Sequence, residues 1–314
     1  MGRTQKTGGR KTAVITGSTN GLGLEATRQL AARGVRVIMT GRNAQRGQSR
    51  VNDLKKQMPE ADISYSQLDL SSLEGISPFA QSLDVEGLDI LINNAGVMGP
   101  QERVLTSYGQ ELQFGTNHLA HFLLTSCLLP ALIRGRGRVI TVASRAALKG
   151  RIHFEDLKAA RHYDSMTFYR QSKLANLMFA LSLDRLLRQH DMPVQSCAAH
   201  PGWTRTNMIA SIPHQETIPT LKQRLYQRVI EPIGAAIFNH FAQDVADGVQ
   251  PLLAPVWLGG DVGGAYFGPQ KFGERNGPVG PAHIPASARK ESDQKRLWQC
   301  SVEITGAQYP FTYS

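Results

Sequence analysis

The chain has 314 residues, of which 41% are hydrophobic, so it can bury the core of one large domain or two small ones. No stretch reaches the roughly 18 apolar residues that a membrane span needs. The three cysteines, Cys127, Cys197 and Cys300, are far apart and have no metal-like spacing. We therefore expect a reduced, cytoplasmic protein without a membrane span.

The formal net charge is +10, and part of it lies in the basic N-terminal tail, residues 1–11, and in 222–228. Nucleic-acid binding is one interpretation of such a surplus. No helix-turn-helix, zinc or RNA-binding motif accompanies it. We favour a soluble basic protein that binds phosphate-bearing ligands.

Strand and helix patterns alternate along residues 12–314, with no internal repeat. Seven short apolar runs predict strands: TAVIT, VRVIMTG, ISYSQLDL, LDILINNAG, GRVITVAS, VQSCAAHPG and GAYFG. Helix-length segments lie between them, at LEATRQLAARG, 44–58, 72–82, 112–132 and 165–189. This alternation predicts a single α/β domain with a Rossmann-type, doubly wound parallel sheet.

Two segments interrupt the alternation. Residues 207–245 follow the sixth predicted strand and mix apolar with basic residues, while 268–290 are rich in Gly and Pro. Ligands of such sheets bind outside the carboxyl ends of the strands. We expect both segments to be insertions or loops at one end of the sheet, and 207–245 to be a substrate lid.

The stretch TGSTNGLG places Gly17, Gly21 and Gly23 directly after a strand and at the start of a helix. Glycines there permit a tight turn, so that a dinucleotide diphosphate can approach the backbone and the helix N-terminus. About 18 residues further on, an NAD-binding fold would carry an acid for the ribose hydroxyls. The sequence has Arg42 instead, whose guanidinium can bind a 2′-phosphate, so we expect NADP(H) to be preferred, with NAD(H) possible.

Polar residues stand at several places where a site is expected. Asn117 interrupts an apolar helix, which is intrinsically unfavourable, and Ser144 ends the fifth strand. Tyr169 and Lys173 are four residues apart and share one helix face. Alone, this pair fits either a solvated surface pair or a phenol and an ammonium arranged for proton transfer.

Together, the motifs TGxxxGxG, NNAG, helical Asn, strand-end Ser, YxxxK and PGxxxT resemble the short-chain dehydrogenase/reductase superfamily over residues 13–268. Within it, NHLAHFLLT, RIHFEDL, SKLANLMF and HPGWTRT resemble the branch of retinol dehydrogenases, WW-domain oxidoreductases and protochlorophyllide reductases. Membrane-bound retinol dehydrogenases have an N-terminal hydrophobic anchor, which is not seen in this sequence. We therefore expect a soluble relative.

The resemblance implies an enzyme that transfers hydride between nicotinamide and an apolar carbonyl or alcohol substrate. Tyr169 would be the general acid, Lys173 would lower its pKa, Ser144 would bind the substrate oxygen, and Asn117 would hold a water. It also implies cofactor contacts at Gly17, Ser18, Asn20, Gly21, Leu22, Gly23, Arg42, Asp69, Leu70, Asn94, Ala95, Gly96, Tyr169, Lys173, Pro201, Gly202, Thr204 and Thr206.

Other interpretations remain open. A dinucleotide-binding regulator without turnover is the main alternative, although a sensor has no need of an acid–base set. The histidines His153, His162 and His200 lack metal-ligand spacing, so we expect no metal. The family also often pairs its long helices, here 112–132 and 165–189, which makes a homodimer or homotetramer an expectation.

Overall fold

The computed structural model describes residues 9–204 and 242–313, and a single sheet runs through them. Its strands are β1 (Thr12–Ile15), β2 (Arg36–Gly41), β3 (Ile63–Gln67), β4 (Ile90–Asn93), β5 (Arg138–Val142), β6 (Gln195–Ala199), β7 (Tyr266–Lys271) and β8 (Asn276–Pro281). Their order is β3-β2-β1-β4-β5-β6-β7-β8. All neighbours are parallel except β7 and β8, which are antiparallel.

Helices connect the strands and lie on both faces of the sheet. They are α1 (Gly21–Ala31), α2 (Ala44–Gln57), α3 (Ile76–Ser82), α4 (Leu112–Phe114), α5 (Ala120–Gly135), α6 (Ser165–Gln189), α7 (Val245–Gly248), α8 (Gln250–Trp257), α9 (Ala286–Arg289) and α10 (Glu291–Thr305). A π-helical turn, Gly115–Leu119, joins α4 to α5, and a 3-10 turn, Arg145–Lys149, follows β5.

Alternating side chains of the central strands supply two separate cores. Val14 and Leu91 pack with α5 and α6 on one face, and Ile15 and Ile92 pack with α1 and α8 on the other. Burying each such side chain contributes ~1.5–3 kcal/mol relative to exposure. Double burial explains why these strands contain hardly any polar residues.

The chain reverses its direction across the sheet between β1 and β4. Strands β1 to β3 extend to one side, and β4 to β7 extend to the other. The loops that follow β1 and β4 therefore diverge and leave a crevice at their carboxyl ends. The doubly wound fold that the sequence predicted is confirmed.

The segment 268–290, interpreted as an insertion or loop, contains strand β8, which the sequence analysis did not predict. The strand carries two glycines and two prolines, Gly277 has φ of +99°, and the strand has no apolar run. Such a composition is tolerated at a sheet edge, where backbone N–H groups need no partner on the outer side. The predicted lid lies mostly outside the described residues, and its last residue, Val245, begins helix α7.

Helix α10 forms an additional layer over α5 and α6. The Trp298 ring lies 4.9 Å from that of Phe122 and 6.1 Å from that of Phe179. Helix α10 therefore covers part of the two helices through which the expected dimer would form, and self-association stays a prediction.

The segment Leu112–Gly135 is long and apolar enough to cross a membrane. However, 78% of its most apolar 18 residues are buried in the fold, so the segment is only weak evidence for a membrane span.

Candidate functional site

The glycine-rich turn after β1 requires its glycines for conformation and for space. Gly17 and Gly21 have φ of +63° and +51°, a region that favours glycine. A Cβ on Gly23 would stand 2.5 Å from the carbonyl oxygen of Gly17. The turn therefore packs directly against the first turn of α1 and leaves the N-terminus of that helix at the crevice.

Thr16 joins this turn to the segment after β4. Its hydroxyl accepts the backbone N–H groups of Asn94 and Ala95 at 2.8 and 2.9 Å. The Asn94 side chain donates in return to the carbonyl oxygen of Thr16 at 2.8 Å. These bonds hold the two loops on either side of the crevice in one arrangement.

A cavity of about 480 Å³ lies at this edge of the sheet. Its lining includes sixteen of the predicted residues: Gly17, Asn20, Gly21, Leu22, Arg42, Asp69, Leu70, Asn94, Ala95, Gly96, Ser144, Tyr169, Lys173, Pro201, Gly202 and Thr204. Ser18, Gly23 and Asn117 stand behind this surface. Ser18 accepts the Thr40 N–H at 2.8 Å and so supports the end of β2. Thr206 lies outside the described residues.

One end of the cavity is basic. Arg42 and Arg46 both line it, and Asn43 caps α2 by accepting the Arg46 N–H at 2.8 Å. The sequence analysis missed Arg46, which lies in the first turn of α2, shortly after Arg42. Asp69 also lines this end, where its carboxylate accepts the N–H and hydroxyl of Ser71.

The opposite end of the cavity contains a buried phenol and a serine. Tyr169 lies on α6, is 7% exposed, and shares a side-chain hydrogen bond with Ser144. Ser144 is fixed in turn because it caps the following 3-10 turn, accepting the Ala146 N–H at 3.1 Å. Both hydroxyls therefore face the same part of the cavity.

Lys173 lies one turn after Tyr169 and is also buried. Its Nζ donates to the Val142 carbonyl at 3.1 Å and stands 5.9 Å from the centroid of the Tyr169 ring. Burial lowers the pKa of Lys173 to about 8. Burial also raises the pKa of Tyr169, and the hydrogen bond to Ser144 opposes this only in part. Burial is the largest cause of both shifts, so the expected stabilisation of a Tyr169 phenolate by Lys173 stays a prediction.

Asn117 occupies the π-helical turn. Its side chain accepts the Val97 N–H at 2.7 Å and donates to the Val97 carbonyl and the Ser172 hydroxyl, both at 2.9 Å. An asparagine is tolerated in this helix because all these partners lie within reach. It connects the loop after β4 to α6, beside Lys173.

The loop after β6 closes the cavity. Gly202 has φ of +66°, and the Thr204 hydroxyl donates to the Pro201 carbonyl at 2.8 Å. Trp203, which the sequence analysis quoted but did not assign, lines the cavity. Its backbone N–H donates to the Arg275 carbonyl in the β7–β8 turn, and the Arg275 guanidinium lies 4.7 Å from the centroid of the Trp203 ring.

His200 is buried behind the same loop, where its Nε2 lies 3.2 Å from a carboxylate oxygen of Glu274. Among the described residues, no group of three His, Cys, Asp or Glu side chains is arranged to hold a metal ion.

Comparisons with known proteins agree with this architecture. A sequence model of the short chain dehydrogenase family matches residues 11–217. The chain is 35% identical to mouse polyprenol dehydrogenase over 95% of its own length and 84% of that protein. It is 34% identical to mouse retinol dehydrogenase 12, covering 95% of this chain and 87% of the relative.

A crystal structure of an uncharacterised protein from Mycobacterium paratuberculosis superposes with a TM-score of 0.74. The two sequences are 32% identical, and the match covers 96% of this chain and 95% of the other. The family match over most of the chain and the shared fold confirm the resemblance that the sequence motifs indicated. The chain belongs to the short-chain dehydrogenases and is an oxidoreductase.

Proposed function

We propose that this protein reduces the carbonyl group of an apolar substrate with NADPH and oxidises the corresponding alcohol with NADP in the reverse direction. The observation that carries the proposal is the joint placement of Ser144, Tyr169 and Lys173 at one end of a cavity whose other end is basic. A bound nicotinamide supplies or accepts the hydride. The remaining steps are performed by side chains of the chain itself.

Tyr169 donates the proton to the substrate oxygen during reduction. Its raised pKa keeps the phenol protonated at neutral pH, as a general acid requires. The Ser144 hydroxyl, already hydrogen-bonded to Tyr169, orients the same substrate oxygen. Lys173, charged below about pH 8, stabilises the phenolate that the transfer leaves behind.

The shape of the glycine turn fits a dinucleotide, because any Cβ at Gly17 or Gly23 would meet neighbouring backbone atoms within 3 Å. The residues that would hold the diphosphate are the backbone of this turn and the N-terminus of α1. Arg42 and Arg46 would hold a 2′-phosphate. Asp69 also lines the cavity, but its carboxylate accepts a hydrogen bond from the backbone N–H of Ser71. This supports NADP(H) over NAD(H) as the preferred cofactor.

The substrate end of the cavity supports an apolar ligand. Val97, Met98, Leu112 and Trp203 line it together with the catalytic set. The names of the two mouse relatives, which refer to polyprenol and retinol, agree with a long apolar alcohol or aldehyde. The substrate lid predicted at 207–245 lies mostly outside the described residues and stays a prediction. A cytoplasmic location and a homodimer or homotetramer complete the proposal.

The central experiment compares Tyr169→Phe with Tyr163→Phe. Tyr163 stands nearby on the same side of the fold, but its hydroxyl donates to the Pro100 carbonyl at 2.9 Å and it does not line the cavity. A panel of aldehydes, ketones and alcohols is assayed with NADPH and NADH at the absorbance of the reduced cofactor.

We expect Tyr169→Phe to fold, to bind NADPH and to lose turnover by roughly 100-fold or more. Tyr163→Phe should keep near wild-type turnover. Equal rates in the two variants would remove Tyr169 from the mechanism. A wild-type protein that binds NADPH but converts nothing in the panel would favour the alternative, a dinucleotide-binding regulator.

A further inference from the structure

A buried histidine, His121, connects the two halves of the site but contacts neither the cavity surface nor solvent. It lies in the first turn of α5 and is 1% exposed. Its Nδ1 is 2.9 Å from the backbone carbonyl oxygen of Asn117, and its Nε2 is 2.8 Å from the hydroxyl of Thr16. One imidazole therefore reaches both the glycine-turn side and the catalytic-helix side.

The partners determine which nitrogen carries the proton. A carbonyl oxygen only accepts hydrogen bonds, so Nδ1 must donate to Asn117. In a neutral imidazole Nε2 then accepts, and its donor is the Thr16 hydroxyl. Burial and the nearby charge of Lys173 lower the pKa of His121 to about 4, so the ring is neutral at physiological pH.

This proton arrangement leaves the two lone pairs of the Thr16 oxygen for other donors. They accept the N–H groups of Asn94 and Ala95, which line the cavity. A protonated imidazole would direct a third donor at the same oxygen, which has no lone pair for it. With the neutral tautomer, Thr16 accepts from both N–H groups and gives its single proton to Nε2 at 2.8 Å, in preference to the Ile92 carbonyl oxygen, which lies 3.3 Å from the hydroxyl.

At its other end, the imidazole bonds to the residue that ties the loop after β4 to α6. The Asn117 side chain holds Val97 and Ser172, and Ser172 immediately precedes Lys173. The turn Gly115–Leu119 is π-helical, and its backbone hydrogen bonds join residues five apart instead of four. The backbone carbonyls of this turn therefore have a different set of donors from those in an α-helix. His121 supplies a side-chain donor at this point.

From this geometry we propose that His121 is a positioning residue, which aligns the cofactor-binding loops with the catalytic helix through separate bonds from its two ring nitrogens. The proposal rests on the function proposed above. Through Nε2 it fixes Thr16 and therefore the loops after β1 and β4. Through Nδ1 it fixes Asn117 and therefore the surroundings of Lys173.

Two substitutions separate these bonds. In His121→Asn, the side-chain N–H₂ occupies the place of Nδ1 and can donate to Asn117, but the side chain is too short to reach Thr16. In His121→Gln, the amide extends to the place of Nε2 and can accept from Thr16, but no donor faces the Asn117 carbonyl. His118→Gln is the matched control, because His118 is equally buried in the neighbouring turn but bonds to Ser301, away from the cavity.

The Kd for NADPH, kcat for carbonyl reduction and Tm are measured for all three variants. We expect His121→Asn to raise the Kd for NADPH roughly fivefold or more, with kcat within about threefold of wild type. His121→Gln should lower kcat by roughly tenfold, with a nearly unchanged Kd. His118→Gln should lower Tm without changing either quantity.

The proposal is overturned if the two His121 variants lose affinity and kcat together, in proportion to Tm, as a merely structural histidine would. It is also overturned if neither variant differs from wild type. The Kd for NADPH can be measured without turnover. A protein that binds NADPH but reduces no carbonyl would refute the proposed function, and the Kd of His121→Asn would still test the role of the bond between His121 and Thr16.

Discussion

Removing the two guanidinium groups at the basic end of the cavity should reverse or abolish a preference for NADPH. Arg42 and Arg46 line this end and both are exposed, so water and salt screen them. A charge-assisted hydrogen bond contributes ~1.5–3 kcal/mol, and exposure reduces this towards ~1–2 kcal/mol for each arginine. We therefore expect Arg42→Ala and Arg46→Ala each to weaken NADPH binding by roughly 5–30-fold.

The assay measures Kd for NADPH and NADH by quenching of protein fluorescence, at low and at high salt. The NADH affinity should change by less than about threefold in either variant, because NADH has no 2′-phosphate. The preference should also decrease as ionic strength rises. Arg50→Ala is the control, since Arg50 lies one turn further along α2, pairs with Asp53 and does not line the cavity.

Two results would refute the reasoning. Equal losses for NADPH and NADH would show that the arginines support the fold of the loop after β2 instead of binding a phosphate. A loss in Arg50→Ala as large as in Arg46→Ala would show that the general positive field of α2 is responsible, and not contact at the cavity.

Three further predictions concern pH and stability. Carbonyl reduction should decline as pH rises through about 8, because Lys173 loses its proton there while Tyr169 keeps its own; a flat profile to pH 9.5 would contradict this. Burial lowers the pKa of His118 to about 3 and of His121 to about 4, both below the unfolded value of 6.5. The stability that these neutral rings provide is complete above pH 6.5 and is lost as pH falls towards 4, by roughly 3 kcal/mol each. Urea unfolding at pH 7 and pH 4.5 measures this, and His118→Gln should reduce the difference. Trp298→Ala should cost ~3–5 kcal/mol, because the ring packs on Phe122 and Phe179, and a loss below 1 kcal/mol would show that α10 is loosely attached.

Local signals explain why the sequence predicted so much of the fold. A doubly buried strand needs a continuous apolar run, and the glycine turn needs residues that accept positive φ, so both are visible in a few adjacent letters. The spacing between Tyr169 and Lys173 likewise fixes their common helix face. Strand β8 lacked such a signal, because its stability comes from pairing with β7 at the edge of the sheet.

The electrostatics of the site depended on contacts between distant parts of the chain. Tyr169 and Lys173 are buried by strands and loops far from them in sequence, and the Lys173 ammonium bonds to Val142, 31 residues away. Spacing alone predicted attraction between the ammonium and a phenolate. It carried no information about burial, which opposes both charges and sets the direction of both pKa shifts.

The proposed cofactor preference depends on the positions of individual charges and not on the net charge of +10. Within the part of the chain that the structure describes, the basic side chains lining the cavity are Arg42, Arg46 and Lys173. Other basic residues pair with acids away from the cavity, as Arg188 does with Asp184 and Asp261. The proposed preference for NADP(H) therefore rests on two guanidiniums beside the start of α2, and the same local placement in a neutral protein would support the same preference.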